Sequence, residues 1–172
     1  MALFVLSVVG SDRPGLTKAL AAAVLSAGGN WRDSHLSLLG GLYVGSVLVE
    51  LQADAVDELR AAVREVDAHG LDVRIAPALE APGPEGEALH FHLVGQDRPG
   101  IVDQVTNVLT GLAANIETFR SWISAEPYSG IPLFNMEASL RLPPALSVSQ
   151  VQTALEEISA EIMVDISLTP AA

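Results

Sequence analysis

An eight-residue motif occurs twice in this chain, and the spacing between its copies limits what the chain can fold into. Residues 9–16 read Val9-Gly10-Ser11-Asp12-Arg13-Pro14-Gly15-Leu16, and residues 94–101 read Val94-Gly95-Gln96-Asp97-Arg98-Pro99-Gly100-Ile101. The offset is 85 residues, and it persists: Gly28-Gly29-Asn30 falls opposite Ala113-Ala114-Asn115. A motif and a later match held in one register mark a duplicated unit. Two copies fit into 172 residues only as two small domains.

Hydrophobic spacing supports the same alignment. After the first motif, Leu16, Leu20, Ala23, Val24 and Ala27 form one helical face, and Ile101, Val105, Val108, Leu109 and Leu112 repeat those intervals. A second helix uses Val56, Leu59, Val63 and Val66, matched by Val148, Val151, Leu155 and Ile158. Alternating segments at residues 2–9 and 88–94 read as strands. Further strands are expected near 31–39, 42–52 and 71–76, and again near 115–124, 131–142 and 162–168. Gly40-Gly41 reads as a hairpin turn. In the second half Gly130 takes the place of Gly41 at an offset of 89, so four residues are inserted around residues 124–129.

Each half therefore reads strand, helix, strand, strand, helix, strand. The expected fold class is α+β: two ferredoxin-like βαββαβ domains in tandem, each an antiparallel four-stranded sheet with helices on one face. Residues 77–87 hold three prolines and two glycines. The expected division is residues 1–78, a linker at 79–87, and residues 88–172, with the boundary near 83.

The net charge of −12 is uneven, with nine acids and six bases in residues 1–76 but twelve acids and three bases in residues 77–172. Such a surface repels phosphate backbones, so direct nucleic-acid binding is not expected. The chain has no cysteine, which excludes disulfides and thiolate chemistry. No run of eighteen apolar residues exists, and no membrane partner is expected. The apolar segment at residues 2–9 lacks a basic leader, since the first basic residue is Arg13. It reads as a strand, and the expected location is the cytoplasm.

The strand ending in Val-Gly, the Asp-Arg-Pro-Gly-Leu/Ile run that opens a helix, Asn30 or Asn115 at the helix end, and Gly40-Gly41-Leu42-Tyr43-Val44 together resemble the ACT domain family. Two such units without a catalytic domain resemble, within it, the group of glycine cleavage system transcriptional repressors. The resemblance implies a regulatory protein that binds an amino acid or similar metabolite and pairs sheets within or between chains, leaving a homodimer open. It also implies action on a partner protein rather than on nucleic acid. The insertion at 124–129 departs from a symmetrical pair and implies different ligand access in the two copies.

The motif residues suggest how a ligand could be held. Pro14 and Pro99 suit a first helical position, and Gly15 and Gly100 expose backbone there. Free N–H groups and the helix dipole favour a carboxylate near Leu16 or Ile101. Arg13 and Arg98 could add charge-assisted bonds. Asn30 and Asn115, read as lying beside this loop, offer both a donor and an acceptor. A purely structural reading stands beside this one. Asp12 and Asp97 favour a helix N-terminus, Pro-Gly shapes the turn, and Asn30 and Asn115 can end a helix.

Other candidates are weaker. His90 and His92 share a strand face but lack a third ligand at a suitable spacing, so no metal or other cofactor is expected. Asp33, His35 and Ser37 also share a face, yet neighbours along a strand run parallel and do not converge as a catalytic trio must. Trp31, Trp122 and Phe134 read as packing residues. No convergent acid–base or nucleophile set is visible, so an enzyme is not expected. The alternative to a ligand sensor is a ligand-free interaction module.

Overall fold

In each half the chain alternates strands and helices in the order expected from the repeat. The computed structural model describes residues 1–67, 70–79, 83 and 85–171. The first half comprises β1 (Ala2–Ser11), α1 (Leu16–Ser26), β2 (Asn30–Leu39), β3 (Leu42–Leu51), α2 (Val56–Asp67) and β4 (Leu71–Pro77). The second comprises β5 (Ala88–Gln96), α3 (Ile101–Gly111), β6 (Asn115–Ala125), β7 (Pro132–Arg141), α4 (Val148–Ile162) and β8 (Val164–Pro170). The chain divides into two units, Met1–Ala81 and Pro82–Ala172. Within the proposed linker, residues 80–82 and 84 lie outside the described residues.

The sheets run β2-β3-β1-β4 and β6-β7-β5-β8, and every neighbouring pair is antiparallel. Period-2 alternation sends Phe4, Leu6 and Val8 of β1 to the core, while Leu3, Val5, Ser7 and Val9 face the open side. In β5, Leu89, Phe91 and Leu93 do the same, and His90 and His92 take the open side. The helices cover the inner faces with the residues their spacing predicts: Leu16, Leu20 and Val24 on α1, and Ile101, Val105 and Leu109 on α3. Each unit has its own core cluster. Fully burying a Leu or Phe side chain contributes about 1.5–3 kcal/mol, so each cluster is large enough to hold its sheet to its helices.

One boundary differs from expectation. The last strand was expected from residue 162, but Ile162 is the final residue of α4. Val151, Leu155 and Ile162 are all buried and continue the helical face, and Met163 stops it by turning left-handed at φ 53. At its other end, α4 begins with a capping box: the Ser147 side chain accepts from the Gln150 N–H, while the Gln150 side chain accepts from the Ser147 N–H. Ser147→Ala should therefore lower the unfolding free energy by about 1 kcal/mol, read from a urea titration.

The two hairpins differ, and the insertion is longer than the four residues expected: Gly10 pairs with Tyr43 and Gly95 with Phe134, so the offset grows from 85 to 91. Leu39 pairs with Leu42 across Gly40-Gly41, whereas Ala125 pairs with Pro132 across residues 126–131. In the longer loop the Glu126 carboxylate accepts from the Ser129 hydroxyl and N–H, which lowers its pKa. A lowered carboxylate pKa means this turn contact is present above the ordinary carboxylate range. It is lost as pH falls through the lowered value.

Candidate functional site

The motif leaves β1 and β5 at their C-terminal ends and enters α1 and α3. Gly15 and Gly100 are the N-caps, at φ 94, ψ 0 and φ 92, ψ −4, and no side chain caps either helix. These angles are those of the third residue in a type II turn, which favours proline just before it. Pro14 and Pro99 thus precede the cap, and the first helical residues are Leu16 and Ile101, correcting the expected position of proline. First-turn N–H groups have no partner within the helix, so they face outward beside the cap. A Cβ on Gly15 or Gly100 would meet nothing within 4 Å. Gly15→Ala and Gly100→Ala should each cost about 1–2 kcal/mol, from the left-handed backbone and not from a clash, measured by denaturant unfolding.

The other sequence-predicted residues separate into two groups. Asp12, Arg13 and Pro14 are exposed around the first cap, and Asp97 and Pro99 around the second. Leu16 and Ile101 are buried in the cores, so only their backbone is available to a ligand. Asn30 and Asn115 are not beside the loops. Asn30 pairs with Glu50, which pairs with Leu3. The loop leaves β1 eight residues further on, at Ser11, about 26 Å away at ~3.3 Å per residue. Asn115 pairs with Arg141, which pairs with Ala88, while the second loop leaves β5 at Gln96. Both asparagines sit at the far end of their sheets, because each intervening helix carries the chain back along the strand before it.

The second loop borders a cleft of about 470 Å³ lined by Asp97, Arg98, Gly100, Ile101, Val102, Asp103, Thr106 and Phe134. That is within the usual range for small-molecule sites. Arg98 folds back so that Nη2 donates to Gln104 Oε1 at 3.1 Å, and its Nε is buried without a hydrogen-bond partner. A buried unpaired donor is costly unless a further group satisfies it. Asp103 Oδ2 accepts from Asn107 Nδ2 at 3.1 Å. The Asp97 N–H donates to Pro132 O at 3.0 Å, tying the loop to the long hairpin. The helix N-terminus, a guanidinium and two carboxylates therefore lie around one cleft. Gln104, Thr106 and Phe134 had not been singled out for this site, since a sequence spacing does not reveal which helix positions a folded-back arginine reaches.

The first loop is built differently. Thr17 Oγ1 and Tyr43 Oη share a hydrogen bond of 2.6 Å, which joins the first turn of α1 to β3. Val102 and Phe134 stand at the corresponding positions of the second unit and cannot form it.

Away from the loops, His90 and His92 line an open-face cavity of about 520 Å³ with Thr118, Arg120, Glu137 and Ser139. Among the described residues no group of three or more His, Cys, Asp or Glu is placed to hold a metal. Asp33, His35 and Ser37 pair with Leu48, Ser46 and Val44 along one sheet face. Trp31 and Phe134 pack against the cores, while Trp122 lies under the Arg120 guanidinium at 4.8 Å. No helix among the described residues is long and apolar enough to cross a membrane.

The family model of the ACT domain matches residues 2–76, the whole of the first sheet and its helices. The first unit is an ACT domain. The second unit repeats the βαββαβ order and strand arrangement, giving tandem ACT-like ferredoxin folds. An unknown protein from Galdieria sulphuraria shares this architecture with 30% identity and a TM-score of 0.87, covering 99% of both chains. A structure assigned as a glycine cleavage system transcriptional repressor matches with a TM-score of 0.70 and 16% identity, covering 99% of this chain and 97% of its own. At that identity the likeness concerns the fold. No curated protein matches the sequence.

Proposed function

We propose that this ACT-domain protein is a regulator that binds an amino acid at its motif loop and adjusts a partner protein. The observation that carries the reading is the cleft at the second loop, where the uncapped N-terminus of α3 and Arg98 lie with Asp97 and Asp103. A carboxylate suits the N-terminal N–H groups and the guanidinium, and an ammonium suits the aspartates. The likeness in fold to a protein assigned as a transcriptional repressor supports a regulatory role, and the acidic composition favours action through a protein over nucleic acid. The reading carries no catalytic step, and a cytoplasmic location goes with it.

The mechanism is a population shift. A ligand held at the loop favours the arrangement that binds it more tightly, and the partner responds to that arrangement. Thermal unfolding against the twenty amino acids tests this. A ligand about 100-fold above its Kd should add about 2.7 kcal/mol, a shift of several degrees.

A second reading, a ligand-free interaction module, is favoured by the edge strand β6 and the long hairpin. Phe119, Ile123, Tyr128 and Ile131 are exposed there, and an edge strand of 11 residues offers unpaired backbone to another chain. A flat thermal response across the panel would favour this reading.

A further inference from the structure

We propose that the open face of the second sheet carries a binding site of its own, for a small anion that also bears hydroxyl groups. It is separate from the motif cleft, and its occupancy is independent of an amino acid there.

The strand register builds this site. Arg120 on β6 stands opposite Glu137 on β7, and Glu137 stands opposite His92 on β5. In the neighbouring row Thr118, Ser139 and His90 are aligned in the same way. These six side chains line the cavity of about 520 Å³, on the sheet face away from the helices. Thr118 Oγ1 donates to Ser139 Oγ at 2.8 Å, so the serine keeps its own O–H for another acceptor.

Charge says what this cavity takes. Residues 77–172 hold twelve acids and only three bases. Arg98 donates to Gln104, and Arg141 grips the Glu117 carboxylate through two nitrogens. Arg120 has no hydrogen bond or ion pair among the described residues, although a carboxylate occupies the opposite strand position. Its guanidinium lies instead over the Trp122 ring, 4.8 Å from the centroid. Stacking of this kind fixes the guanidinium plane and leaves its N–H edge open. That edge receives a carboxylate or phosphate through two parallel bonds. Glu137 is likewise without a partner among the described residues. It repels a bare anion but accepts from a hydroxyl, so the ligand has to carry both groups. His90, His92 and Ser139 supply further donors around the same space.

The first unit shows that the fold does not require this arrangement. Its open face has Val5 paired with Leu48 where the second has His90 paired with Ser139. His35 and Ser46 stand in place of Arg120 and Glu137, and Ser37 in place of Trp122. The apolar pair, the ring and the charges have all changed between the copies, on one face and in adjoining rows.

Calorimetric titration of the full chain with glycerol 3-phosphate and with glycerate tests this, with inorganic phosphate, acetate and glycerol as controls. At least one of the two hydroxylated anions should bind, tenfold or more tighter than every control, since each control lacks a charge-assisted bond that the ligand makes. Tighter glycerol 3-phosphate would assign a phosphate to Arg120, and tighter glycerate a carboxylate; either supports the site. Arg120→Gln should weaken binding at least tenfold, and Glu137→Gln should narrow the preference over the simple anions. Both positions are exposed, so circular dichroism should show both variants folded. Binding of neither hydroxylated anion, equal affinity for inorganic phosphate or acetate, or unchanged affinity in Arg120→Gln would overturn the proposal.

Discussion

Replacing Gly45 with alanine is expected to unfold the first unit or leave it severely destabilised. Gly45 lies inside β3, paired with both β1 and β2, at φ +148. A Cβ there would stand 1.9 Å from the backbone oxygen of His35 and 2.9 Å from Leu36 Cα. Neither neighbour is a flexible side chain that could move aside, so the ladder between β2 and β3 must open. Breaking the ladder between β3 and the edge strand β2 on top of a strained backbone belongs among the rare single changes that cost more than about 4 kcal/mol. Urea unfolding followed by Trp31 fluorescence, in a Trp122→Phe background, would show the first unit unfolded or with a much lower midpoint. A wild-type midpoint would mean that the strand pairing at Gly45 is different.

The second large effect is expected from Phe91→Ala. Phe91 is 1% exposed in the middle of β5, among Leu89, Leu93, Val105, Met136 and Leu155 in the second core. Truncating a buried Phe leaves a cavity that its neighbours fill only in part, at a cost of about 3–5 kcal/mol. Domains of this size are stable by about 5–15 kcal/mol in total, so the second unit should become marginal. Circular dichroism during heating should show early loss of structure, and an unchanged transition would contradict the assignment of β5 to the centre of that core.

The fold was legible because it was written twice. Two motif copies at one offset fixed the register of each half against the other, and the helical faces of α1 and α3 confirmed it residue by residue. The insertion was visible as a change of offset but was undercounted: the paired registers, Gly10 with Tyr43 and Gly95 with Phe134, place the second hairpin strand at an offset of 91, so six residues are inserted where four were expected. Ile162 was misplaced because an isoleucine continues a helix or begins a strand equally well. Only the buried face of α4 decides between them.

The site was less legible, for a geometric reason. Asn30 is close in sequence to the end of α1, but α1 runs antiparallel to β1 and delivers it to the opposite end of the sheet. Sequence nearness to a motif helix is thus distance from the motif loop. Gly10 and Gly95 were read as strand ends with no reason for their size, and a Cβ at Gly10 would stand 2.3 Å from Gly70 O and one at Gly95 2.5 Å from Val164 Cγ1. They are small because β4 and β8 begin against them, which no local pattern announces. The cleft depends on Arg98 turning back to Gln104, and that requires knowing that Ile101 faces inward.

The central question is whether the second loop binds an amino acid. Calorimetric titration of the full chain and of Gly100→Val with the twenty amino acids tests this. The valine side chain enters open space at the cap and obstructs the helix N-terminus, but a β-branched residue at φ 92 should lose more stability than Gly100→Ala, so folding of the variant is checked by circular dichroism before titration. Saturable heat from at least one amino acid with the unchanged chain, and none with Gly100→Val, is the result predicted. Equal binding by both proteins, or no binding by either, would contradict it.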